Sequence, residues 1–227
     1  MKDKGLENLL EFLKEKTEEH LIGNPYNFLM EADLQAFLYG KISEYIDSNN
    51  NIKKYFEDRE GEKPVEIYIV HCEYPRHVYK ENKNGLLCNA GRHDIVILRK
   101  PNKKEWDYIG KDVNKYPVEV AFELKLVWSR RNVISDIEGD LIVFGWDDKK
   151  RKFLPNKKRK YPKFGVIFIV NLIERKMKYS LKGELEKILN KKKSYRGKIQ
   201  IPRKIFIVYI EVDRYNKVIT NSFIIKG

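Results

Sequence analysis

One segment, residues 118–126, constrains the fold of this chain more than any other. It reads Val-Glu-Val-Ala-Phe-Glu-Leu-Lys-Leu, and every second residue, from Val118 to Leu126, is apolar. Because successive side chains of a strand point to opposite faces of a sheet, this alternation predicts a strand with one face buried in a core. The opposite face then carries Glu123 and Lys125 next to each other. An alternative interpretation of these two charges is a simple ion pair on a solvent-exposed strand face.

Helical and strand patterns alternate around this segment. Apolar spacing predicts helices over 6–20 and 26–47, followed by a strand over 65–72. Further elements are predicted as strands 92–99, 117–128, 164–173 and 205–212, an edge strand 218–225, and helices 135–145 and 183–193. Residues 100–116 are expected to form a hairpin or flap. The order α-α-β-β-β-α-β-α-β-β predicts an α/β protein whose central mixed sheet is flanked by helices.

The composition excludes several classes of protein. Hydrophobic residues make up 42% of the 227 positions, which is too many for an intrinsically disordered chain. No apolar run approaches the roughly 20 residues that cross a bilayer, so we expect no membrane partner. Two cysteines, Cys72 and Cys88, are too few for a disulfide framework. A single domain over residues 1–227 in the cytoplasm is the resulting expectation.

The charge is basic and unevenly distributed. Lys plus Arg number 46 and Asp plus Glu 33, a net charge of +13. Residues 1–62 contain 8 basic and 14 acidic side chains, so the remainder of the chain carries +19. A field of this sign attracts polyanions such as nucleic acid. A lysine-rich proteome, as in a thermophile, is the alternative explanation.

Acidic residues on two further segments affect the interpretation of Glu123. Asp94 opens the aliphatic run Ile95-Val96-Ile97-Leu98 and lies 29 residues before Glu123. If the two strands are adjacent, Asp94 meets the face of Glu123 and Lys125, and two carboxylates with a lysine there suit a hard divalent cation. A turn cap is the alternative role for Asp94. Asp136 and Asp140, one helical turn apart, are interpreted as an exposed helix face, and a role in the site is the alternative interpretation.

This pattern resembles the PD-(D/E)XK nuclease superfamily, which has the restriction-endonuclease-like fold. The resemblance rests on Asp94, on Glu123-Leu124-Lys125 and on an acidic residue of the preceding helix, for which Glu31 is the candidate. Placement in a helix first turn, where a carboxylate favours the helix dipole, is the other interpretation of Glu31. His93 stands where the superfamily motif has proline.

The resemblance implies a fold, a chemistry and a set of site residues. It implies an α-β-β-β-α-β core over residues 26–173, with residues 1–23 as a helical extension and 174–227 as a C-terminal helix and strands. It also implies catalytic roles for Glu31, Asp94, Glu123 and Lys125. Mg²⁺, for which Mn²⁺ can substitute, would be held by Asp94, Glu123 and the Leu124 carbonyl. Glu31 would bind a second metal directly or through water, and Lys125 would orient the attacking water.

The activity implied is a metal-dependent DNA endonuclease of restriction, junction-resolving or repair type, acting on duplex or branched DNA. The resemblance leaves a homodimer open. A non-catalytic nucleic-acid-binding or assembly module with the same fold is the alternative function, and a basic RNA-associated protein is a second. Nucleic-acid contacts are expected from Gln35 and His93, and from two basic runs for which a solvated loop is the alternative. The runs comprise Lys149, Lys150, Arg151 and Lys152, and then Lys157, Lys158, Arg159 and Lys160.

Overall fold

In a computed structural model, the described residues of the chain form the helices α1 (Asp3–Gly23), α2 (Glu31–Ser48) and α3 (Val133–Val143). The strands are β1 (Tyr55–Glu57), β2 (Val65–Ile67), β3 (Val70–Pro75), β4 (Tyr79–Glu81), β5 (Leu87–Asn89), β6 (Arg92–Leu98), β7 (Val118–Val127), β8 (Trp146–Asp147), β9 (Lys152–Phe153), β10 (Phe164–Asn171), β11 (Lys204–Val212) and β12 (Val218–Lys226). The structure describes residues 1, 3–24, 26–49, 55–57, 65–76, 79–81, 87–89, 91–99, 101, 116–128, 133–144, 146–147, 152–153, 162–172, 183, 185–186, 204–212 and 217–226.

Six strands form one mixed sheet in the order β12-β11-β10-β7-β6-β3. Strands β3, β6 and β7 are antiparallel neighbours, whereas β7, β10 and β11 run parallel and β12 returns antiparallel to β11. Helix α3 lies in the connection between the parallel strands β7 and β10. The α/β class with a mixed sheet is therefore confirmed, as is the edge position of β12.

The sheet has an apolar core on each face. One core combines leucines and isoleucines of α1 and α2 with Val120, Phe122 and Leu124 of β7, and Leu126 packs against it, whereas Val118 packs against the core on the other face. The other combines Ile137 and Leu141 of α3 with residues such as Ala121 of β7. Hence the alternation that predicted a buried face for β7 is observed, and the second face of the strand is covered by α3.

Two predicted boundaries were wrong. Helix α2 begins at Glu31 and not at Tyr26, because the Asp33 carboxylate accepts the Leu29 and Met30 N–H groups, each at 2.9 Å, and caps the helix there. The single strand predicted over 65–72 is divided into β2, which pairs with β1, and β3, which joins the main sheet.

Other predicted segments lie largely outside the described residues. Of 100–116 only positions 101 and 116 are described, and of 183–193 only 183, 185 and 186, which are helical. Within the part of the chain that is described, no helix has the length and apolarity to cross a membrane.

Candidate active site

The candidate site lies where β6 separates from β7. The pairing of β6 with β7 ends at Ile95, which lies opposite Phe122. Beyond Phe122, towards the C-terminal end of β7, side chains take the place of the β6 backbone. Asp94 Oδ2 accepts the Leu124 N–H at 2.6 Å. Glu31 Oε2 accepts the Leu126 N–H in a longer bond of 3.4 Å. Two of the predicted site carboxylates thus line the same open edge of β7.

The Leu124 carbonyl belongs to this edge as well. In a strand, the N–H and C=O of one residue face the same neighbour. Since the Leu124 N–H meets Asp94, its carbonyl oxygen faces the opening between β6 and β7. The backbone oxygen predicted to bind a metal therefore lies on the edge that carries the Asp94 and Glu31 carboxylates.

The side-chain alternation of β6 breaks beside Asp94. Ile95 packs in the core with α1 and α2, yet His93, two residues earlier, stacks on Phe144 after α3 with ring centroids 6.1 Å apart. The neighbouring strand is irregular at the same level, because Glu73 has φ 52°, in the left-handed region that side chains rarely adopt. Backbone strain of this kind tends to occur at functional sites.

Glu123 is held by two basic side chains. Its side chain is almost fully buried, Arg76 Nη2 donates to Oε2 at 2.6 Å, and His93 Nδ1 lies 2.6 Å from Oε1. His93 itself is 3% exposed, so in this structure it contacts Glu123 and is shielded from the surface where a nucleic acid would bind. Arg76 and His93 together fix the orientation of the Glu123 carboxylate.

Lys125 is paired with a residue of α3. Its Nζ lies 3.1 Å from Asp140 Oδ2, and Asp140 is 7% exposed. The interpretation of Asp140 as part of an exposed helix face was therefore wrong; Asp136, one turn earlier, is exposed. Burial alone would lower the pKa of Lys125, but the charges of Asp140 and Glu31 outweigh it and the pKa is raised.

Gln35 connects α2 to the irregular part of the sheet. Its Nε2 donates to the Asp94 carbonyl oxygen at 2.7 Å and to Glu73 Oε1 at 3.1 Å. These hydrogen bonds support the backbone at Asp94, and the contact of Gln35 with nucleic acid stays a prediction.

Burial raises the pKa of four carboxylic acids at the site, Glu31, Asp94, Glu123 and Asp140. The pKa of Glu123 rises to about 7 against the opposing charge of Arg76, and that of Asp140 rises to about 7 against the opposing charge of Lys125. Burial, together with the charge of Glu123, raises the pKa of Asp94, and burial raises that of Glu31. Burial lowers the pKa of His93 to about 3, so its imidazole is neutral at pH 7.

This distribution of charge suits a cation. Five carboxylic acids (Glu31, Glu73, Asp94, Glu123 and Asp140) surround two cations, Arg76 and Lys125. In the described ranges no group of three His, Cys, Asp or Glu side chains is already arranged as a metal cage. Mg²⁺ does not require one, because it commonly binds to one or two carboxylates and keeps several waters.

The structure brings together the predicted site residues that it describes, namely Glu31, Asp94, Glu123, Leu124 and Lys125, with Gln35 and His93 directly behind them. Residues 149–151 and 157–160 of the basic runs lie outside the described residues, and Lys152 is described only as part of β9.

Sequence reasoning missed Arg76 and Glu73, and it gave Asp140 a role in the site only as an alternative. A signal for Asp140 was present, because Ile137, Asp140 and Leu141 share one face of a helix and that face is apolar. Arg76 follows β3 with no pattern that marks it.

Comparisons with protein-family models, with curated proteins and with solved structures give no match to this chain. The functional argument therefore rests on the residues and their geometry.

Proposed function

We propose that this protein is a metal-dependent DNA endonuclease. One observation carries the proposal: Asp94 Oδ2 accepts the Leu124 N–H at 2.6 Å, so the aspartate lies directly against the Glu123-Leu124-Lys125 segment. Glu31 reaches the same strand edge through Leu126. Two carboxylates, a backbone carbonyl and a lysine at one sheet opening are the groups that metal-assisted hydrolysis of a phosphodiester needs.

The chain order supports a restriction-endonuclease-like core. Helix α2 is followed by the antiparallel strands β3, β6 and β7, then by α3 and by β10 parallel to β7. This is the α-β-β-β-α-β order that the sequence resemblance implies, with small two-stranded additions between the main strands.

The donor set fits magnesium. Asp94 and the Leu124 carbonyl would hold the ion, with Glu123 or Glu31 as a further ligand, and all of these donors are oxygens, which Mg²⁺ prefers. When bound, the ion would polarise the phosphate and lower the pKa of an attacking water. The buried carboxylates have raised pKa values, so a divalent cation would relieve their mutual repulsion.

The chain's own residues have distinct tasks in this proposal. Lys125 supplies a fixed positive charge for the transition state, and Asp140 holds its ammonium at 3.1 Å. Arg76 and His93 orient Glu123, and the neutral His93 adds no charge of its own. Gln35 supports the backbone at Asp94. Each group is therefore positioned before substrate arrives.

A non-catalytic nucleic-acid-binding module is the second candidate, and one observation favours it. Both carboxylate oxygens of Glu123 are engaged, Oε2 by Arg76 and Oε1 by His93. If these bonds persist when nucleic acid binds, Glu123 is a structural ion pair and supplies no metal ligand.

Cleavage assays separate the two functions. Supercoiled plasmid, branched DNA and RNA are incubated with the wild type in Mg²⁺, Mn²⁺ or EDTA. We expect DNA cleavage in either metal and none in EDTA. Asp94→Ala and Lys125→Ala are each expected to lower the rate by about 100-fold or more, since each removes a group that acts on the transition state.

The control is Lys41→Ala, which breaks a lysine–carboxylate pair with Glu44 on α2 and should leave the rate unchanged. Retained DNA binding and circular dichroism in both site variants would show that only chemistry is lost. DNA binding by the wild type without cleavage in any metal would instead establish the non-catalytic module.

A further inference from the structure

An exposed pair of aromatic rings lies next to the candidate site. Tyr26, in the connection from α1 to α2, and Trp128, directly after β7, have ring centroids 6.2 Å apart and ring planes within 7° of parallel. Tyr26 is 50% exposed and Trp128 is 41% exposed. Two large rings thus present aromatic surface to solvent at the C-terminal end of β7.

The chain ties this pair to the opening between β6 and β7. Glu31 Oε2 accepts the Leu126 N–H, so the start of α2 meets the end of β7. Tyr26 precedes Glu31 by five residues and Trp128 follows Leu126 by two. The pair therefore borders the edge that carries Glu31, Leu124 and Lys125.

Further exposed apolar side chains occur in the last turn of α1 and in the connection from α1 to α2. Ile22 is 64% exposed, Leu29 72% and Met30 60%. Large apolar side chains that are exposed this close together in the chain mark an interaction surface, because their contact with water is unfavourable.

We propose that the Tyr26–Trp128 pair stacks on an unpaired base of the DNA, so that the enzyme acts on branched or single-stranded DNA in preference to a regular duplex. The inference rests on the proposed nuclease function and names its substrate class. Bases within a duplex have both faces covered by their neighbours, whereas an unpaired base offers a free face to an aromatic ring. Such stacking tolerates any base sequence.

Charge favours nucleic acid over a second copy of this chain as the occupant. Each copy carries +13, so two copies repel one another, whereas a polyanion is attracted. The sequence adds positive charge close to Trp128, since residues 130 and 131 are both arginine.

The test measures binding in EDTA, where no cleavage occurs. A forked DNA carries 2-aminopurine at its first unpaired position, and a matched duplex carries the same base paired. We expect the wild type to quench 2-aminopurine in the fork only. Trp128→Ala should weaken fork binding about 5- to 150-fold, the ratio that corresponds to one lost base stack, and change duplex binding less than about 2-fold.

Two further variants separate stacking from folding. Trp128→Phe keeps a ring and should restore most of the quenching and affinity. Tyr68→Ala removes a 69% exposed aromatic residue elsewhere and should change neither.

Several results would overturn the inference. These are equal losses on fork and duplex, quenching that persists in Trp128→Ala, or a wild-type dimer that dissociates in Trp128→Ala during sedimentation. Absence of cleavage by the wild type in Mg²⁺ or Mn²⁺ would refute the nuclease proposal instead, and the binding data would still decide whether the aromatic pair recognises unpaired bases.

Discussion

The two halves of β7 differ although they belong to one continuous strand. From Val118 to Phe122 the strand is paired with β6, and from Val120 onwards it is also paired with β10. From Glu123 to Val127 it keeps β10, but carboxylates of Asp94 and Glu31 take the place of β6 at the Leu124 and Leu126 N–H groups. A ladder of backbone bonds in the first half is thus replaced in the second by side chains that can exchange partners.

Each half also buries one glutamate, and the two are neutralised differently. Glu119 is 4% exposed and contacts the Met1 ammonium at 2.6 Å and Lys163 Nζ at 3.0 Å, and the Lys163 side chain is 45% exposed. Glu123 is 1% exposed and contacts Arg76, whose side chain is 17% exposed, and His93, whose side chain is 3% exposed. Glu119 is thus paired with two ammonium groups, whereas Glu123 is paired with a guanidinium and a buried imidazole at the point where β6 leaves the sheet.

The largest expected effect compares these two glutamates directly. Glu123→Gln should lower the rate of DNA cleavage about 100- to 1000-fold, because the amide keeps the shape of the side chain and removes the charge. Glu119→Gln should leave the rate within about 3-fold of wild type. Single-turnover cleavage of plasmid in Mg²⁺ measures both.

Equal rate losses in Glu119→Gln and Glu123→Gln would break the comparison, because the two halves of β7 would then not differ in function. Circular dichroism of each variant identifies any loss that is due to unfolding.

The fold and the first layer of the site were predictable from local patterns. The alternation over 118–126 predicted β7 and placed Glu123 and Lys125 on one face, because side chains two positions apart in a strand point to the same face of the sheet. The partners of those residues were not predictable, since Arg76 reaches Glu123 across 47 positions and Asp140 reaches Lys125 from another element.

The break in alternation at Asp94 could not be predicted either. It occurs at the level of Glu73 in the neighbouring strand, which has φ 52°, and glutamate has no preference for that conformation. His93 was predicted to contact nucleic acid because it lies beside Asp94, whereas in the structure its imidazole is buried and lies 2.6 Å from Glu123 Oε1.

A second prediction concerns the pH dependence of stability in metal-free buffer. The pKa of Glu123 is about 7 in the folded chain and 4.5 when unperturbed. Between these values the folded state binds more protons than the unfolded state, so the free energy of unfolding falls as pH rises from 4.5 to 7 and stays low above pH 7. The Glu123→Gln variant lacks this carboxyl group, so its free energy of unfolding should not show this decrease.

Urea unfolding at pH 5 and pH 8 measures the effect. Relative to Glu123→Gln, the wild type should lose about 2 kcal/mol of unfolding free energy between these pH values. A wild type whose unfolding free energy does not fall relative to Glu123→Gln over this range would show that Arg76 keeps Glu123 ionised throughout.

The smallest expected effect concerns the attachment to α2 of the second half of β7, from Glu123 to Val127. Gln35→Ala removes the donor to the Asp94 carbonyl at 2.7 Å and should lower the free energy of unfolding by about 1 kcal/mol. Lys41→Ala, on the same helix, should cost less than about 0.5 kcal/mol, since it breaks only a surface pair.

Hydrogen exchange sharpens the comparison, because in Gln35→Ala the Leu124 amide should exchange faster while the Val120 amide, in the half of β7 that pairs with β6, keeps its protection. Equal acceleration at both amides would mean that β7 opens as one unit, and the distinction between its halves would then be lost.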